Sequence, residues 1–401
     1  MSIVAFFIAA LVAIPTLIFI LQCLAAMGAT WFTTKKTAST STDDDAVYTA
    51  AIIIPAHNEQ QVIAATIRSL LPQMGANGRV VAIAHNCDDE TAQVARDAGA
   101  EVLELNEPDR RGKGWALAAG RDFLRSDPPD AMVVVDADTA VEPDFLKPLV
   151  TIAMQRNSPA QAKYVLHVDS DDADAADYVS SLAFTVRNAV RPLGMKLLGL
   201  PCMLTGSGFA LPWSLAADAP LAGGHAGEDY KLGIDLTLQG NRPYFCPDAV
   251  VRGPLPRTKQ VATVQRRRWS HSQLAFMRNE LPRLLGDFLL HARLASFGLI
   301  CDLVVPPLIL LMLLQWVAMA ATGIIYLAGG SQIPLLITVA TCASFLVVLL
   351  AVAAVFEKKL LNRKVLLALP RYFFRYLPQY LAFFHKADTQ WTKTPRESSA
   401  P

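Results

Sequence analysis

The strongest constraint on this chain is the segregation of its apolar residues to the two ends. From Ile3 to Ala29 the only strongly polar side chain is Gln22, and the run exceeds the ~20 residues a helix needs to cross a hydrocarbon core. Two further runs, Leu303 to Leu327 and Ile333 to Phe356, are separated by the turn-forming Ala328-Gly329-Gly330-Ser331-Gln332 and predict a transmembrane hairpin. These runs account for a chain that is 53% hydrophobic and 18% charged, where soluble domains carry roughly 25% charged residues. No basic cluster precedes the first run, Lys35 and Lys36 follow it, and Gln22 stands before Cys23 where a lipoprotein signal needs a small residue. An uncleaved anchor is therefore expected rather than a cleaved signal. Arg278, Arg283 and Arg293 precede the hairpin, Lys358, Lys359, Arg363 and Lys364 follow it, and its connecting loop has no basic residue. The positive-inside rule then puts both flanks, and everything after Lys35, in the cytoplasm. The stretch Val365 to Lys386 interleaves Leu, Phe and Tyr with Arg371, Arg375 and Lys386 and is broken by Pro370 and Pro378, a pattern expected of an interfacial helix, with a further span as the alternative.

Charge and cysteine usage exclude other classes. Lys and Arg total 36 against 35 for Asp and Glu, a net charge of +1, which argues against a broad phosphate-gripping surface and so against a nucleic-acid partner. The 6 cysteines include no C-x-x-C pair, and three lie inside apolar runs, so neither a disulfide framework nor a structural zinc site is indicated.

Between Thr40 and roughly Leu290 the composition is that of a globular α/β domain, reached through the small, acidic linker Thr37 to Asp45. Apolar β-rich runs (Ala50 to Pro55, Val80 to Ala84, Glu101 to Leu105, Ala131 to Val135) alternate with helical patterns (Glu59 to Leu71, Glu90 to Ala98, Gly114 to Leu124). That alternation predicts a parallel, doubly wound sheet with ligands beyond the C-terminal strand ends. The strands run out into Pro55-Ala-His-Asn-Glu59, His85-Asn-Cys-Asp-Asp-Glu90 and Asp136-Ala-Asp138. Three carboxylate-bearing strand ends point to one cation or one polar ligand. Asn58 and Asp88 read equally well as helix N-caps, but Asp136 and Asp138 repel each other unless a cation sits between them and an anionic ligand. Neither a P-loop nor a G-x-G-x-x-G fingerprint follows the first strand.

In order along the chain, these motifs resemble the GT-A glycosyltransferases of family 2, in particular the membrane-bound branch with cellulose, hyaluronan and chitin-oligosaccharide synthases and exopolysaccharide glycosyltransferases. Pro55 to Glu59, with His57, resembles the donor-nucleotide loop, Arg111-Gly-Lys-Gly-Trp-Ala-Leu117 the basic segment beneath the nucleotide, and Asp136-Ala-Asp138 the D-x-D metal motif. Gly206-Ser207-Gly208 resembles the acceptor-side turn, Gly227-Glu228-Asp229 the catalytic E-D motif, and Gln265-Arg-Arg-Arg-Trp269 the Q-x-x-R-W motif. The resemblance implies a GT-A doubly wound α/β domain plus transmembrane helices: an anchor over 1–32, a linker over 33–48, a cytoplasmic catalytic domain over 49–292, a hairpin over 293–357, and an interfacial helix with tail over 358–401. It implies a multi-pass protein of the inner (cytoplasmic) membrane that inverts at the anomeric carbon.

By the same resemblance Asp138 and Asp136 hold Mg2+ or Mn2+, an oxygen-rich site suited to either ion, and Asp136 also orients the donor. Asp229 is the base, supported by Glu228. Pro55, His57, Glu59, His85, Lys113 and Arg268 belong to the donor side; Gly206, Ser207, Gly208, Gln265 and Trp269 belong to the acceptor side, where Trp269 offers a stacking face. Lys113 reads either as a phosphate-side cation or as a solvated loop lysine, and Arg266 and Arg267 as a basic patch facing anionic lipid. His85 departs from the pattern, standing where many relatives read uracil with an aspartate; it either meets the base or caps the strand end. Ala118 replaces a common Asn or Asp. His225 and His271 read as structural residues. The expected partners are a nucleotide-sugar donor, probed first as UDP-linked, and a lipid-linked or growing glycan acceptor at the membrane, within a homo-oligomer or a polysaccharide-assembly complex. Single addition to a polyprenyl-linked glycan is favoured over processive synthesis because three spans are few for a conducting pore. A nucleotidyltransferase or a binding module with a dead site are the rivals.

Overall fold

The computed structural model describes residues 1–33, 48–75, 77–168, 175–223, 227–255, 259–356 and 380. The linker of 33–48 beyond residue 33 and before residue 48, His225, and all of the expected interfacial segment except Tyr380 lie outside them. The chain divides into two compact units. Within the described set a helical unit holds residues 1–33, 168, 175–200, 269–356 and 380, and a sheet unit holds 48–167 and 201–268. Residues 175–200 and the chain from Trp269, both inside the span read as catalytic domain, thus belong to the helical unit.

The sheet unit runs β1 (Ala50–Ala56), α2 (Ile63–Leu70), β2 (Arg79–His85), α3 (Thr91–Asp97), β3 (Glu101–Leu105), α4 (Lys113–Leu124), β4 (Ala131–Val134), β5 (Ala140–Val141), α5 (Leu146–Arg156) and β6 (Ala160–His167); it resumes with β7 (Phe209–Pro212), α8 (Trp213–Ala216), α9 (Glu228–Leu238) and β8 (Tyr244–Pro254). The strand order is β3-β2-β1-β4-β7-β6-β8-β5. The expected parallel pairing holds for β3, β2, β1 and β4. Beyond β4 the sheet is mixed, because β7 runs antiparallel to both β4 and β6. The purely parallel expectation fails there: the chain enters β7 from the Gly206-Ser207-Gly208 turn in the opposite sense, with Phe209 opposite Val134 and Pro212 opposite Ala131.

Apolar strands buried on both faces explain the near-continuous hydrophobic runs. Ile52 and Ile54 face one core with Val133, Phe145 and Leu149, and Ile53 faces the other with Ile83, Leu117 and Phe209. Each isoleucine is fully buried and contributes about 1.5–3 kcal/mol by burial. Pro55 sits in a central strand, where a missing N–H is normally costly. It shares the parity of Ile53, whose carbonyl accepts Val135 N–H at 3.2 Å, so the donor it lacks would face past the end of β4. The crevice expected between β1 and β4, where the chain reverses its direction of strand addition, opens at that point.

Helix starts differ from the sequence expectation. Asn58 takes φ +58° and the Glu59 carbonyl accepts both Val62 and Ile63 N–H, so residues 59–62 form a turn and α2 begins at Ile63. Neither Asn58 nor Asp88 caps a helix. Asn58 Oδ1 accepts the backbone N–H of Asp88 at 2.8 Å, bridging two loops.

The helical unit comprises α1 (Ser2–Thr33), α6 (Ala175–Thr185), a π-helical segment (Val186–Val190), α7 (Arg191–Leu197), most of α10 (Lys259–His291), α11 (Leu294–Leu303), α12 (Leu308–Leu327) and α13 (Ile333–Phe356). The first hairpin helix starts at Leu308, not Leu303, since Pro306-Pro307 cannot supply the amide donors or the conformation a continuous helix requires. Among the described residues, three helices are long and apolar enough to cross a membrane: Ser2–Gly28, Leu308–Leu327 and Ile333–Phe356. On α1, Ile3, Phe7, Leu11, Ile14, Leu17, Leu21 and Leu24 point outward while Ala5, Ala9, Thr16, Gln22 and Ala26 are buried. Large apolar residues outside, with small and polar residues joining Phe19 inside, reverse the soluble pattern and match packing in lipid. Gly194 of α7 lies against α1 so closely that a Cβ there would meet the Gln22 carbonyl oxygen at 1.9 Å.

Candidate functional site

At the C-terminal end of β4, the backbone N–H of Asp136 donates to Ser207 Oγ at 3.0 Å, and Ser207 Oγ donates to Thr139 Oγ1 at 3.2 Å. Ser207 is completely buried between two left-handed glycines, Gly206 at φ +71° and Gly208 at φ +73°. Gly208 is required twice: its φ disfavours any side chain, and a Cβ would strike Val251 at 2.9 Å. Around Gly206 there is room, and that room is polar. A Cβ at Gly206 would lie 3.7 Å from Asp229 Oδ2 and 3.8 Å from Asp136 Oδ2, so carboxylates from two elements approach one point. Gln161, absent from the sequence-based site, fixes the turn: its Oε1 accepts Thr205 N–H at 2.8 Å, and its Nε2 donates to the Ser207 carbonyl at 3.0 Å. The detectable signal was an amide inside the apolar start of β6.

Asp229 and Glu228 occupy the first turn of α9 after Gly227 at φ +92°, where free amides and the helix dipole favour negative charge. Burial nevertheless pushes Asp229 up, against the opposing pull of Lys113 and of its own and Tyr230's amides. Burial likewise raises Glu228 to about 7, with the Asp229 charge adding to it and its own backbone amide, the Gly114 amide and Lys113 opposing it. Gly114 N–H reaches Glu228 Oε1 at 3.3 Å, and any Cβ at Gly114 would meet the Leu221 carbonyl at 2.4 Å. That glycine therefore lets α4 start beside α9.

Lys113, the first residue of α4, is not a solvated loop lysine. Its Nζ donates to Asp136 Oδ1 and, at 2.5 Å, to the Gly206 carbonyl. Burial alone would lower its pKa, but Asp136, Asp229 and Glu228 together hold it above the ordinary value. Tyr164 is also affected: burial first, then the charges of Asp136, Asp138 and Asp229, push its hydroxyl well above the usual phenol range. A small cavity is lined by Lys113, Glu228 and Asp229 on its polar side and by Leu117, Phe209, Leu221 and Leu232 on its apolar side.

The donor-side residues on β1 and β2 form a second, neighbouring set. His57 Nδ1 lies 2.9 Å from the His85 carbonyl, and Glu59 N–H donates to Thr91 Oγ1 at 2.7 Å. His85 is buried, with Nε2 4.0 Å from the Glu107 carboxylate. Burial lowers its pKa more than Glu107 raises it, so the ring is neutral at pH 7. Asn86, at φ +53°, pins the loop after β3 by accepting Glu107 N–H at 2.6 Å. Asp89 accepts from Thr91 N–H at 3.0 Å and from Gln60 N–H at 3.3 Å. Asp89 is engaged in loop-to-loop bonding, and among the described residues no three His, Cys, Asp or Glu side chains form a ready metal cage. Asp136 and Asp138 fit an oxygen-preferring divalent ion that takes its other ligands from a diphosphate and water, the usual arrangement for Mg2+. Ala118 is buried in the core with Ile53 and Ile83, so its departure from the family pattern removes no contact on an open surface.

Gln265 and Arg268 lie one turn apart on the part of α10 within the sheet unit, both half-buried. Trp269 belongs to the helical unit, where its ring packs on Phe184 with centroids 5.3 Å apart. His271 is buried in the same unit.

A profile of the family described as Glycosyltransferase like family 2 matches residues 49–272, more than half of the chain. The protein belongs to that family, whose members use nucleotide-sugar donors, and the eight-stranded mixed sheet is its GT-A fold. Among solved structures, a mannosyltransferase from Pyrobaculum calidifontis in complex with GDP-Man and Mn2+ is similar at 17% identity, with 93% of this chain and 96% of that one covered and a TM-score of 0.49. Glucosyl-3-phosphoglycerate synthase from Mycobacterium tuberculosis, in complex with Mn2+, UDP and phosphoglyceric acid, is similar at 22% identity over 55% of this chain and 75% of that one, with a TM-score of 0.38. No curated protein matches the chain.

Proposed function

We propose that the protein is a membrane-anchored, inverting glycosyltransferase that moves one sugar from a nucleotide-diphosphate donor, UDP-linked in the first instance, to a polyprenyl-linked glycan acceptor in exopolysaccharide or cell-surface polysaccharide synthesis. The observation that carries it is the approach of Asp136 and Asp229 to one point at Gly206, with the Lys113 ammonium bonded beside them. Asp229 is the base: it takes the proton of the acceptor hydroxyl as that oxygen attacks the anomeric carbon and the nucleoside diphosphate departs from the opposite face. A raised carboxylate pKa brings its basicity closer to what general-base catalysis at neutral pH needs. Asp138 and Asp136 are the residues for Mg2+ or Mn2+, which when bound neutralises charge on the leaving diphosphate. Lys113 and Arg268 supply fixed cations for the same charge. Pro55, His57, Glu59 and His85 form the nucleotide side and Gly206, Ser207, Gly208 and Gln265 the acceptor side, to which Trp269 is assigned by its sequence motif alone.

The outward leucines of α1 and the two other apolar helices support anchoring in the inner membrane as a multi-pass protein with the sheet unit in the cytoplasm. Three candidate spans among the described residues favour single addition, since three helices are few to enclose a glycan conduit.

The test is transfer of radiolabelled sugar by membranes containing the native protein, Asp229→Asn or Asp138→Asn, across a panel of UDP- and GDP-sugars. Each variant is expected to lose about 10²–10⁴-fold in rate, with nucleoside diphosphate as the small product. Unchanged transfer in both variants sinks the residue assignment; release of pyrophosphate would identify a nucleotidyltransferase instead.

A further inference from the structure

Lys113, assigned above to the leaving diphosphate, is bonded here to other partners. Its ammonium is bonded to the same Asp136 carboxylate that a D-x-D site offers to a divalent ion, and it also bonds the Gly206 carbonyl. Gly206 is in turn the point that Asp136 and Asp229 approach together. Lys113 also lines one small cavity with Glu228 and Asp229, so a protein cation lies inside the carboxylate set. The side chain is only partly covered, with 22% of its surface accessible against 28% for Asp136, and a lysine stem has four rotatable carbons with which to swing its charge. Its backbone is fixed at the start of α4, where Gly112 at φ +124° leads in. The ammonium can therefore change partner without any movement of the helix.

We propose that Lys113 is a built-in stand-in for the metal: it neutralises Asp136 in the empty site, and it releases that carboxylate when a diphosphate arrives to accept its hydrogen bonds. The consequence is that metal and nucleotide load together. A divalent ion arriving alone meets an occupied carboxylate and a like charge. A diphosphate brings anionic oxygens that attract both the ammonium and the ion, so Asp136 is freed when the ion has its remaining ligands at hand. An enzyme at a membrane, with magnesium always present in the cytoplasm, thereby keeps its site unloaded until a donor is bound. The coupling is reciprocal: metal strengthens nucleotide binding by the factor with which nucleotide strengthens metal binding. This inference rests on the donor and metal reading above.

The experiment is Mn2+ binding to the full-length protein in detergent, followed by electron paramagnetic resonance of the free ion, alone and with UDP or GDP at saturation. Controls with each nucleotide but no protein correct for Mn2+ held in solution. Native protein, Lys113→Gln and Lys113→Arg are compared, with folding of each checked by circular dichroism. For the native protein, nucleotide is expected to tighten Mn2+ binding at the upper end of the usual coupling range of about 5–150-fold. Lys113→Gln is expected to bind Mn2+ alone at least about tenfold more tightly than the native protein and to lose most of that coupling. Lys113→Arg keeps the cation and is expected to keep weak binding of Mn2+ alone. Removing any nearby positive charge by itself would improve Mn2+ binding equally with and without nucleotide. Equal gains in both conditions, or no gain in Lys113→Gln, overturn the stand-in role while leaving the metal site in place. Absence of Mn2+ binding in every protein with either nucleotide overturns the donor and metal reading together with it.

Discussion

Ser207 holds Asp136 by its backbone rather than by its carboxylate: the Asp136 N–H donates to the Ser207 hydroxyl at 3.0 Å, and the carboxylate is left to the Lys113 ammonium, which bonds Oδ1. Ser207 is thus a positioning residue for the D-x-D segment, and Thr139 completes the chain by accepting the Ser207 proton. Ser207→Ala leaves the Asp136 amide without its partner at a buried turn, which costs about 1–3 kcal/mol. The expected result is a lower thermal midpoint together with weaker Mn2+ binding in the presence of nucleotide. A variant that melts and binds like the native protein refutes the latch.

The two glycines of the same turn separate conformation from space. Both have positive φ, so Gly206→Ala and Gly208→Ala each incur a backbone strain of about 1–2 kcal/mol. Only Gly208 adds a collision, with Val251 at 2.9 Å and Ala162 at 3.1 Å, whereas Gly206 has no neighbour closer than 3.7 Å. Gly208→Ala should therefore be the more destabilising by about 1–3 kcal/mol, the cost of overpacking. Gly206→Ala should stay folded but impair function, because its methyl group enters the space between Asp136 and Asp229. Thermal denaturation in detergent alongside a transfer assay checks both, and equal stability of the two variants contradicts the packing argument.

The strands β1 to β4 were legible because an all-apolar run such as Ala50–Ile54 has one stable home, the middle of a sheet covered on both faces. Asp136 and Asp138 stood out because two carboxylates directly after an apolar strand repel each other, whereas Glu228 and Asp229 were read only from their resemblance to the family's E-D motif. What sequence concealed was pairing. Asn58 and Asp88 looked like caps, since a cap and a loop-to-loop bond use the same short polar side chains; only the backbone places Asn58 Oδ1 at Asp88 N–H. Gln161 and Tyr164 were missed because a single polar group inside a strand carries no periodic signal, and the one trace Gln161 left, an amide between two alanines, names no partner. The antiparallel entry of β7 depended on the turn at Gly206 to Gly208, whose two left-handed residues cannot be read from glycine alone. Lys113 bonding Asp136, 23 positions away in sequence, is a contact no local pattern encodes.

Glu228 gives the folded protein a pH dependence whose sign is fixed by its burial. Burial first, then the neighbouring Asp229 charge, raises the folded-state pKa from 4.5 to about 7. A carboxyl that is harder to ionise when folded stabilises the native state fully below pH 4.5, and that contribution disappears as pH rises through 7. The full difference is about 3 kcal/mol at 1.36 kcal/mol per unit, reduced by whatever solvent reaches the site. Glu228→Gln stays neutral at every pH. Thermal midpoints of the native protein should fall relative to Glu228→Gln between pH 5 and 8, and parallel curves over that range would show that the carboxyl is not held neutral by the fold.

The helical unit carries its own buried polar core, and it predicts an asymmetry between breaking and replacing it. Arg191 Nε donates to Gln22 Oε1 at 2.7 Å, its guanidinium meets Asp302 Oδ1 at 2.8 Å, and it also bonds the Asp302 carbonyl at 2.7 Å. Gln22 donates in turn to the Cys301 carbonyl at 3.3 Å, so one arginine ties α1, α7 and α11. The Arg191 side chain is 4% accessible and that of Asp302 is 15%, which leaves either charge without water if its partner is removed. Arg191→Met alone should cost about 3–5 kcal/mol, because Asp302 is left as an uncompensated buried charge. The double variant Arg191→Met with Asp302→Asn removes both charges and should recover most of that loss, since replacing a buried pair outright is often neutral. Additive losses in thermal stability, with the double variant below either single one, would mean that the two charges do not act as a pair.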